Sequence, residues 1–311
     1  MLRHMRVWRY LDEVARSGSV RQAAEKLHVT PSAVLRRIQD VEEDVGEALF
    51  ERTGTGMLLT AAGELFIDWI RRQNADLDLV KSQIEEIAGI RRGSIRIACS
   101  QAAAASFIPG QVAAYRFSHP DVVFSIRTAS HEQAIRMLIQ YEVDLALIFG
   151  PPPRADVEAY ISTGQRLVAV MRDGHPLATQ KIVHLRQCLD YPLALLDESF
   201  AGRRLIDTAM AGLSRQPNVV VESNAFEVLR AFVEKCDAIT FQVEIGITDI
   251  AATHGLIVRP LSDEEHAYAP MVLLHLKGRS LPLAARKFAD DMSRQLDCRR
   301  MTALGAVLAP D

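Results

Sequence analysis

Residues 19–39, SVRQAAEKLHVTPSAVLRRIQ, read as two short helices broken at a sharp turn. Ser19 followed three residues later by Gln22 is a capping box, in which the hydroxyl takes an orphan amide and the glutamine reaches back. Val20, Ala23, Ala24 and Leu27 fall at helical spacing, and the alanines are small enough to let another helix come close. His28-Val29 makes the turn. Thr30 caps the second helix and Pro31 takes its first position, where a missing N–H costs nothing. Val34, Ile38, Val41 and Val45 recur at four, three and four residues and give one buried stripe. The opposite face carries Ser32, Arg36 and Gln39, with Leu35 beside them. Two helices joined by a tight turn, the second offering polar and basic side chains from its N-terminal half, suit insertion into a DNA major groove. An ordinary helical hairpin with a solvated face shares this periodicity, so the pattern alone leaves both readings open.

Outward from this stretch, residues 4–17 form a first helix with Trp8, Leu11, Val14 and Ala15 facing inward, and Gly18 ends it. Arg3, Arg6 and Arg9 lie along one side, toward backbone phosphate or simply toward solvent. On the far side Gly46 closes the pattern and Leu49-Phe50 returns to the core. Residues 52–59, RTGTGMLL, make a tight hairpin, a wing. Its GTG is a turn and not a phosphate cradle, since no strand precedes it and no helix follows it at the required spacing. Nine basic side chains in residues 1–60 stand against nine carboxylates, but residues 30–39 hold Arg36 and Arg37 and no acid. A basic front on a neutral module is compatible with phosphate contact.

Thr60 caps a long helix over 61–89. Phe66, Ile70, Gln73, Leu77, Val80, Ile84 and Ile87 are spaced alternately four and three apart, a heptad seam with one polar occupant. A strict 3.5-residue repeat over three heptads suits a partner helix better than packing on the same domain. Residues 89–93, GIRRG, form a hinge to the next unit.

Beyond the hinge, strands at 94–99, 122–128 and 144–149 alternate with helices at 106–117 and 131–141. Further strands follow at 167–171, 193–196, 219–222 and 238–241, then a return strand at 269–276, a final helix at 282–296 and a loose tail from Cys298. Such alternation predicts a mostly parallel sheet covered by helices. In open sheets of this kind ligands sit beyond the carboxyl ends of strands, where helix N-termini point amides at them. That rule places Ser100, Gln101, Thr128, Ser130 and Phe149 from the first set of strands around an effector cleft. From the second set it adds Ser199, Phe200, Ser223, Asn224 and Gln242. Any one of them serves equally well as a helix cap or loop hydroxyl. Arg203 and Arg204 stand near this cleft, in reach of a carboxylate effector or as surface arginines at a helix start.

The run through AAEKL, VTPSAV, RRI, VEEDVG, LFER and LTAAGE resembles the N-terminal domain of LysR-type transcriptional regulators, unbroken over about 60 residues. PDVVFSIRTAS, EVDLALIFG, GHPLA and HGLIVRPL resemble that family's effector-binding domain. The resemblance implies an α/β chain overall: a winged helix-turn-helix over 1–60, a linker and dimerisation helix over 61–90, and a two-subdomain domain of periplasmic-binding-protein type. Subdomain I would comprise 91–163 with 267–300, subdomain II 164–266, and the tail 301–311. The linker helix would pair two chains, and two such pairs would make a tetramer. DNA contact would fall to Ser19, Arg21, Thr30, Pro31, Ser32, Leu35, Arg36, Gln39, Arg52 and Thr55. Leu35 stands where the family usually carries a serine, an apolar group suited to a thymine methyl. Thr55 stands where the wing often has a second arginine.

The partners so implied are double-stranded promoter DNA and a small-molecule effector, with no cofactor, no metal and no catalytic residue. No GxSxG turn, HExxH pair, P-loop or dinucleotide fingerprint occurs. His131-Glu132 lacks a second histidine at metal-site spacing, and Asp263-Glu264-Glu265-His266 reads as a solvated charge run. Composition is 49% hydrophobic, 24% charged and 6% aromatic over 311 residues, with a net charge of −3, which fits two or three domains with substantial cores. No apolar run approaches the roughly 20 residues of a membrane span, and the N-terminus has neither an apolar core segment nor a small-residue cleavage site. Cys99, Cys188, Cys236 and Cys298 are scattered, as expected of reduced thiols in a cytoplasmic protein. The competing reading is a solute-binding receptor or structural dimer with a helical appendage.

Overall fold

The computed structural model describes residues 2–54, 56–87, 92–251, 255–262 and 267–308. The chain divides into two compact units, residues 1–84 and 85–311. Thr55, most of the hinge (88–91) and the charge run 263–266 lie outside the described residues, as do the side chains of Arg3 and Arg6.

In the first unit α1 (Leu2–Ser17) ends at Gly18, whose φ of +62° only glycine adopts at little cost. Of the expected capping box the serine's half forms: Ser19 Oγ accepts the Gln22 N–H at 3.4 Å. Helix α2 (Val20–Leu27) stops at His28, a left-handed residue with φ 55° whose N–H returns to the carbonyls of Ala24 and Glu25. Helix α3 (Pro31–Val45) starts with Thr30 Oγ1 accepting the Ala33 N–H at 3.3 Å, and Gly46 closes it at φ +80°. Val34 and Ile38 enter a core with Leu11, Val14, Ala23, Ala24, Leu49 and Phe50, while Val41 is partly buried. Val45, expected to complete the stripe, is 41% exposed because α3 runs past the edge of that core.

The wing is β1 (Phe50–Thr53) paired antiparallel with β2 (Gly56–Leu59). It docks on the turn after α1: the Met57 N–H donates to Gly18 O at 2.8 Å, and a Cβ on Gly56 would lie 2.3 Å from that same oxygen. Helix α4 (Ala61–Ile87) is capped by Thr60 Oγ1, which accepts the Gly63 N–H at 3.0 Å. The seam on α4 divides. Ile70 is fully buried in the first unit's core and Phe66 packs against it, whereas Val80, Ile84 and Ile87 are 47%, 59% and 87% exposed.

The second unit runs β3 (Gly93–Cys99), α5 (Gln101–Ala104), α6 (Phe107–Ser118), β4 (Val122–Thr128), α7 (His131–Ile139), β5 (Leu145–Phe149) and β6 (Val157–Arg172). Helix α8 (Leu185–Cys188), β7 (Leu193–Leu196), α9 (Ala201–Met210), β8 (Val219–Ser223), α10 (Phe226–Val233), β9 (Thr240–Val243) and α11 (Glu244–Ala251) follow. The chain closes with β10 (Leu256–Pro260), β11 (Tyr268–Leu276) and α12 (Leu283–Leu308). The last helix therefore continues through most of the segment expected to be a loose tail.

The strand predicted at 167–171 is the second half of β6, a 16-residue strand. Its first half pairs with β11 as far as Arg166↔Tyr268, and its second half pairs with β9 and β10 from Leu167↔Val243 and Val168↔Pro260. One continuous strand thus carries the chain from one half of the unit to the other, and β11 brings it back. Among the described strands of this unit, β3–β4, β3–β5 and β7–β8 are parallel, whereas β5–β11, β11–β6, β6–β9 and β6–β10 are antiparallel. The expectation of a mostly parallel sheet fails because the two crossing strands run in opposite directions and set their neighbours against them. Asp144, 1% exposed, fixes the near half: it accepts from Arg96 Nη2 and Arg279 Nη2, both at 2.8 Å.

Candidate functional site

Two sites emerge, one in each unit. On α3 the apolar residues Val34 and Ile38 turn inward, which obliges Pro31, Ser32, Arg36 and Gln39 to face outward; all four are exposed, and Leu35 beside them is half-buried. The Thr30 and Ser32 hydroxyls lie 3.1 Å apart, so the first turn presents a linked pair of donor–acceptor groups. Arg37 is tied to Asp40 at 3.1 Å and Arg21 to Glu25 at 3.2 Å, but Arg36 has no carboxylate partner among the described residues. Ser19 caps α2 and Arg52 is exposed on β1. The helix is held rigidly behind this face by Glu42, whose Oε1 accepts the N–H of Leu49 at 2.7 Å and of Phe50 at 3.0 Å.

In the second unit a cavity with about 580 Å³ of empty space, continuous with solvent, lies at the ends of β3, β5, β7 and β9. Ser100, Gln101, Ser130, Phe149, Ser199, Phe200 and Gln242 line it, as predicted from strand ends. Thr128, Ser223 and Asn224 do not. Thr128 ends β4 with its side chain exposed, and the chain enters the cavity wall with Ala129 and Ser130. Asn224 is exposed ahead of α10, and Phe226 reaches the cavity in its place.

Sequence reasoning missed His131 and the apolar lining, including Ile148, Leu167, Leu196, Phe226, Phe241 and Val243. His131 directly follows the Ser130 cap, which was the available signal. Burial, reinforced by the nearby Arg204 charge, pulls its pKa below the usual histidine value, so it stands neutral at pH 7. Ser130 and Gln133 make a full reciprocal capping box on α7. Arg203 is not free for a ligand: it binds Asp207, Glu222 at 2.7 Å and the Leu196 carbonyl at 2.7 Å.

The polar groups of the wall are incompletely satisfied. Ser100 Oγ, Gln101 Oε1 and Gln242 Nε2 are buried with no hydrogen-bond partner among the described residues. Each such group costs about 1–3 kcal/mol unless something bonds it. The N-terminus of α9, with Phe200 at the cap position, has no side-chain cap and borders the same cavity through Ala201 and Gly202. Among the described residues no three His, Cys, Asp or Glu side chains gather as a metal site.

Residues 5–64 match the model described as "Bacterial regulatory helix-turn-helix protein, lysR family", and residues 88–297 match "LysR substrate binding domain". The transcriptional dual regulator GltC of Bacillus subtilis (strain 168) is 32% identical over 244 residues, which cover 77% of this chain and 80% of GltC. A full-length point variant of OxyR from Pseudomonas aeruginosa shares the fold at a TM-score of 0.70 and 19% identity, over 93% of this chain and 94% of that one. Full-length CbnR complexed with its target DNA does so at a TM-score of 0.61 and 18% identity, over 93% and 99% of the two chains.

Proposed function

The chain belongs to the LysR family, DNA-binding transcriptional regulators with an effector-binding domain rather than enzymes, and from that premise we propose how its own residues divide the work. Ser32, Leu35, Arg36 and Gln39 read base edges in the major groove, while Ser19, Arg21, Thr30, Pro31, Arg52 and Thr55 hold the sugar-phosphate backbone. The observation that carries this reading is Arg36, without a carboxylate partner among the described residues, beside the exposed Ser32 in a stretch, 30–39, that holds no acid. Arginine there suits bidentate contact with guanine, and the half-buried Leu35 offers an apolar surface to a thymine methyl.

Val80, Ile84 and Ile87 continue the heptad beyond the part used by the first unit's own core, which supports a homodimer through α4. Two recognition helices one turn of DNA apart would then read a pseudo-palindrome in promoter DNA. Two dimers form a tetramer in this reading. A small-molecule effector occupies the cavity walled by Ser100, Gln101, Ser130, Phe149, Ser199, Phe200 and Gln242. Its binding changes how the second units pack between dimers, and so the spacing of the reading helices. No described helix is long and apolar enough to cross a membrane, and the working compartment proposed is the cytoplasm. Family membership leaves no role for the solute-receptor alternative, which has no use for a reading helix.

Mobility-shift titration on the DNA flanking the protein's coding region, repeated from low to high salt, tests this. Affinity falling steeply with salt is expected of phosphate contact. Affinity that does not change with salt contradicts it.

A further inference from the structure

The two halves of the second unit are joined by the crossing strands β6 and β11, and they also touch through α5 on one half and α11 on the other. Residues 242–246 make this second contact in five consecutive positions. Gln242 and Val243 end β9 and line the cavity. Glu244 opens α11 and accepts two bonds from Arg166, at the crossing point, both at 2.9 Å. The Ile245 carbonyl accepts from Ser106 Oγ at 3.1 Å, and a Cβ on Gly246 would lie 2.0 Å from the Ala102 oxygen. Backbone therefore meets backbone between the halves, and the glycine is what allows it.

Beside this contact lies a small void with about 160 Å³ of empty space, walled by Gln101 and Ala102 from one half and by Arg230, Gln242 and Gly246 from the other. Gln242 is 2% exposed, and Arg230 donates from Nη1 to its Oε1 at 3.3 Å. A guanidinium has only donors, so this contact fixes the carbonyl end of the amide and leaves the Nε2 end for another partner. Nε2 is buried with no partner among the described residues, and so is Gln101 Oε1. A donor on one half and an acceptor on the other thus border the same void, both unsatisfied. We propose that Gln101 and Gln242 form a latch across the cleft: the halves rock on the α5–α11 contact, Gln242 Nε2 donates to Gln101 Oε1, and the cleft is held closed with no ligand in it. One bond then satisfies two buried groups. Arg230 is a positioning residue, because it keeps the donor end of Gln242 free for Gln101. The regulatory meaning of the latch rests on the cavity being the effector site. Both glutamines line that cavity, so whatever occupies it competes with the latch and widens the angle between the halves.

The test is a spin-label distance measurement on the full chain, with labels at Arg136→Cys on α7 and Thr208→Cys on α9, exposed positions on the two halves. Cys236 and Cys298 are replaced by serine, Cys99 and Cys188 are fully buried, and labelled chains are diluted into unlabelled ones so that only distances within a chain count. Gln101→Ala should move the distance outward by more than about 2 Å, the scale of a domain rearrangement. Gln101→Glu keeps an accepting oxygen and should leave the wild-type distance. Adding Gln242→Glu to it sets acceptor against acceptor and should move the distance outward. Circular dichroism checks that each variant folds. Gln101 is partly exposed at the start of α5, so its single variants stand as a readout even if the double variant does not fold. A distance unmoved by Gln101→Ala, or moved as far by Gln101→Glu, overturns the latch and leaves the cavity reading intact. Gly202→Trp, which fills the cavity without touching either glutamine, should also move the distance outward and alter the footprint on promoter DNA. A folded Gly202→Trp that keeps both the wild-type distance and footprint overturns the cavity reading, and the regulatory meaning of the latch with it.

Discussion

The Glu42 carboxylate accepts the backbone N–H of Leu49 at 2.7 Å, joining the last turn of the reading helix to the start of the wing. A second bond from the same oxygen to the Phe50 N–H, at 3.0 Å, makes this a two-point clamp. The side chain thus fixes the angle between two elements that must meet one DNA surface, and it does so from a position seven residues away in sequence.

Glu42→Ala should therefore destabilise the first unit by about 1.5–3 kcal/mol, the range for hydrogen bonds to a charged group. Glu42→Gln, which keeps an accepting oxygen, should cost less. Urea denaturation of the three proteins checks the order.

Asp144 is bound by both Arg96 and Arg279, and Arg279, 6% exposed at its side chain, also lies over the Tyr141 ring at 5.1 Å. Asp144→Asn removes the buried negative charge that these two guanidiniums share. Breaking a buried pair in this way costs about 3–5 kcal/mol. Thermal unfolding should show the loss in the second unit's transition.

His175 is 1% exposed, and its Nδ1 accepts the Leu177 N–H at 3.1 Å. Burial holds its pKa below the usual histidine value. Between that lowered value and about 6.5 the unfolded chain binds a proton that the folded chain does not, so stability falls as pH drops below about 6.5. The slope for one such group reaches at most about 1.4 kcal/mol per pH unit. His175→Asn keeps an oxygen to cap Leu177 and removes the titration. Its denaturation midpoint should depend less on pH between 7.5 and 5 than that of the wild type, by roughly that one-group slope.

Ile84 is 59% exposed on α4 and contributes little to folding of its own unit. Ile84→Lys places a charge in the proposed seam and should convert a dimer to monomers without lowering the melting temperature of the first unit. Analytical ultracentrifugation of wild type and variant reads this directly. A wild-type chain monomeric at high concentration would remove the seam's proposed role.

The first unit was legible because its signals are local: Ser19, Thr30 and Pro31 start helices, and Gly18 and Gly46 stop them within a few residues of the sequence. The long crossing strand β6 was half missed for the opposite reason. Thr163, Gly164 and Gln165 interrupt its apolar pattern, yet Thr163 and Gln165 are buried where the strand passes from one sheet partner to the next. Only the tertiary fold makes polar residues acceptable there. The strand-end rule located the cavity but not which side chain turns into it, so Thr128, Ser223 and Asn224 were named although none lines the wall, and Phe226, which does, was not. The heptad on α4 was read as one seam, but Ile70 serves the domain's own core and only the later positions remain open.

Fluorescence anisotropy on the DNA flanking the coding region, comparing wild type with Arg36→Ala and Ser32→Ala, tests the central claim most directly. Each substitution is expected to cost roughly 1–3 kcal/mol of specific binding. Specific affinity left unchanged in the double variant would show that the N-terminal half of α3 does not read this DNA.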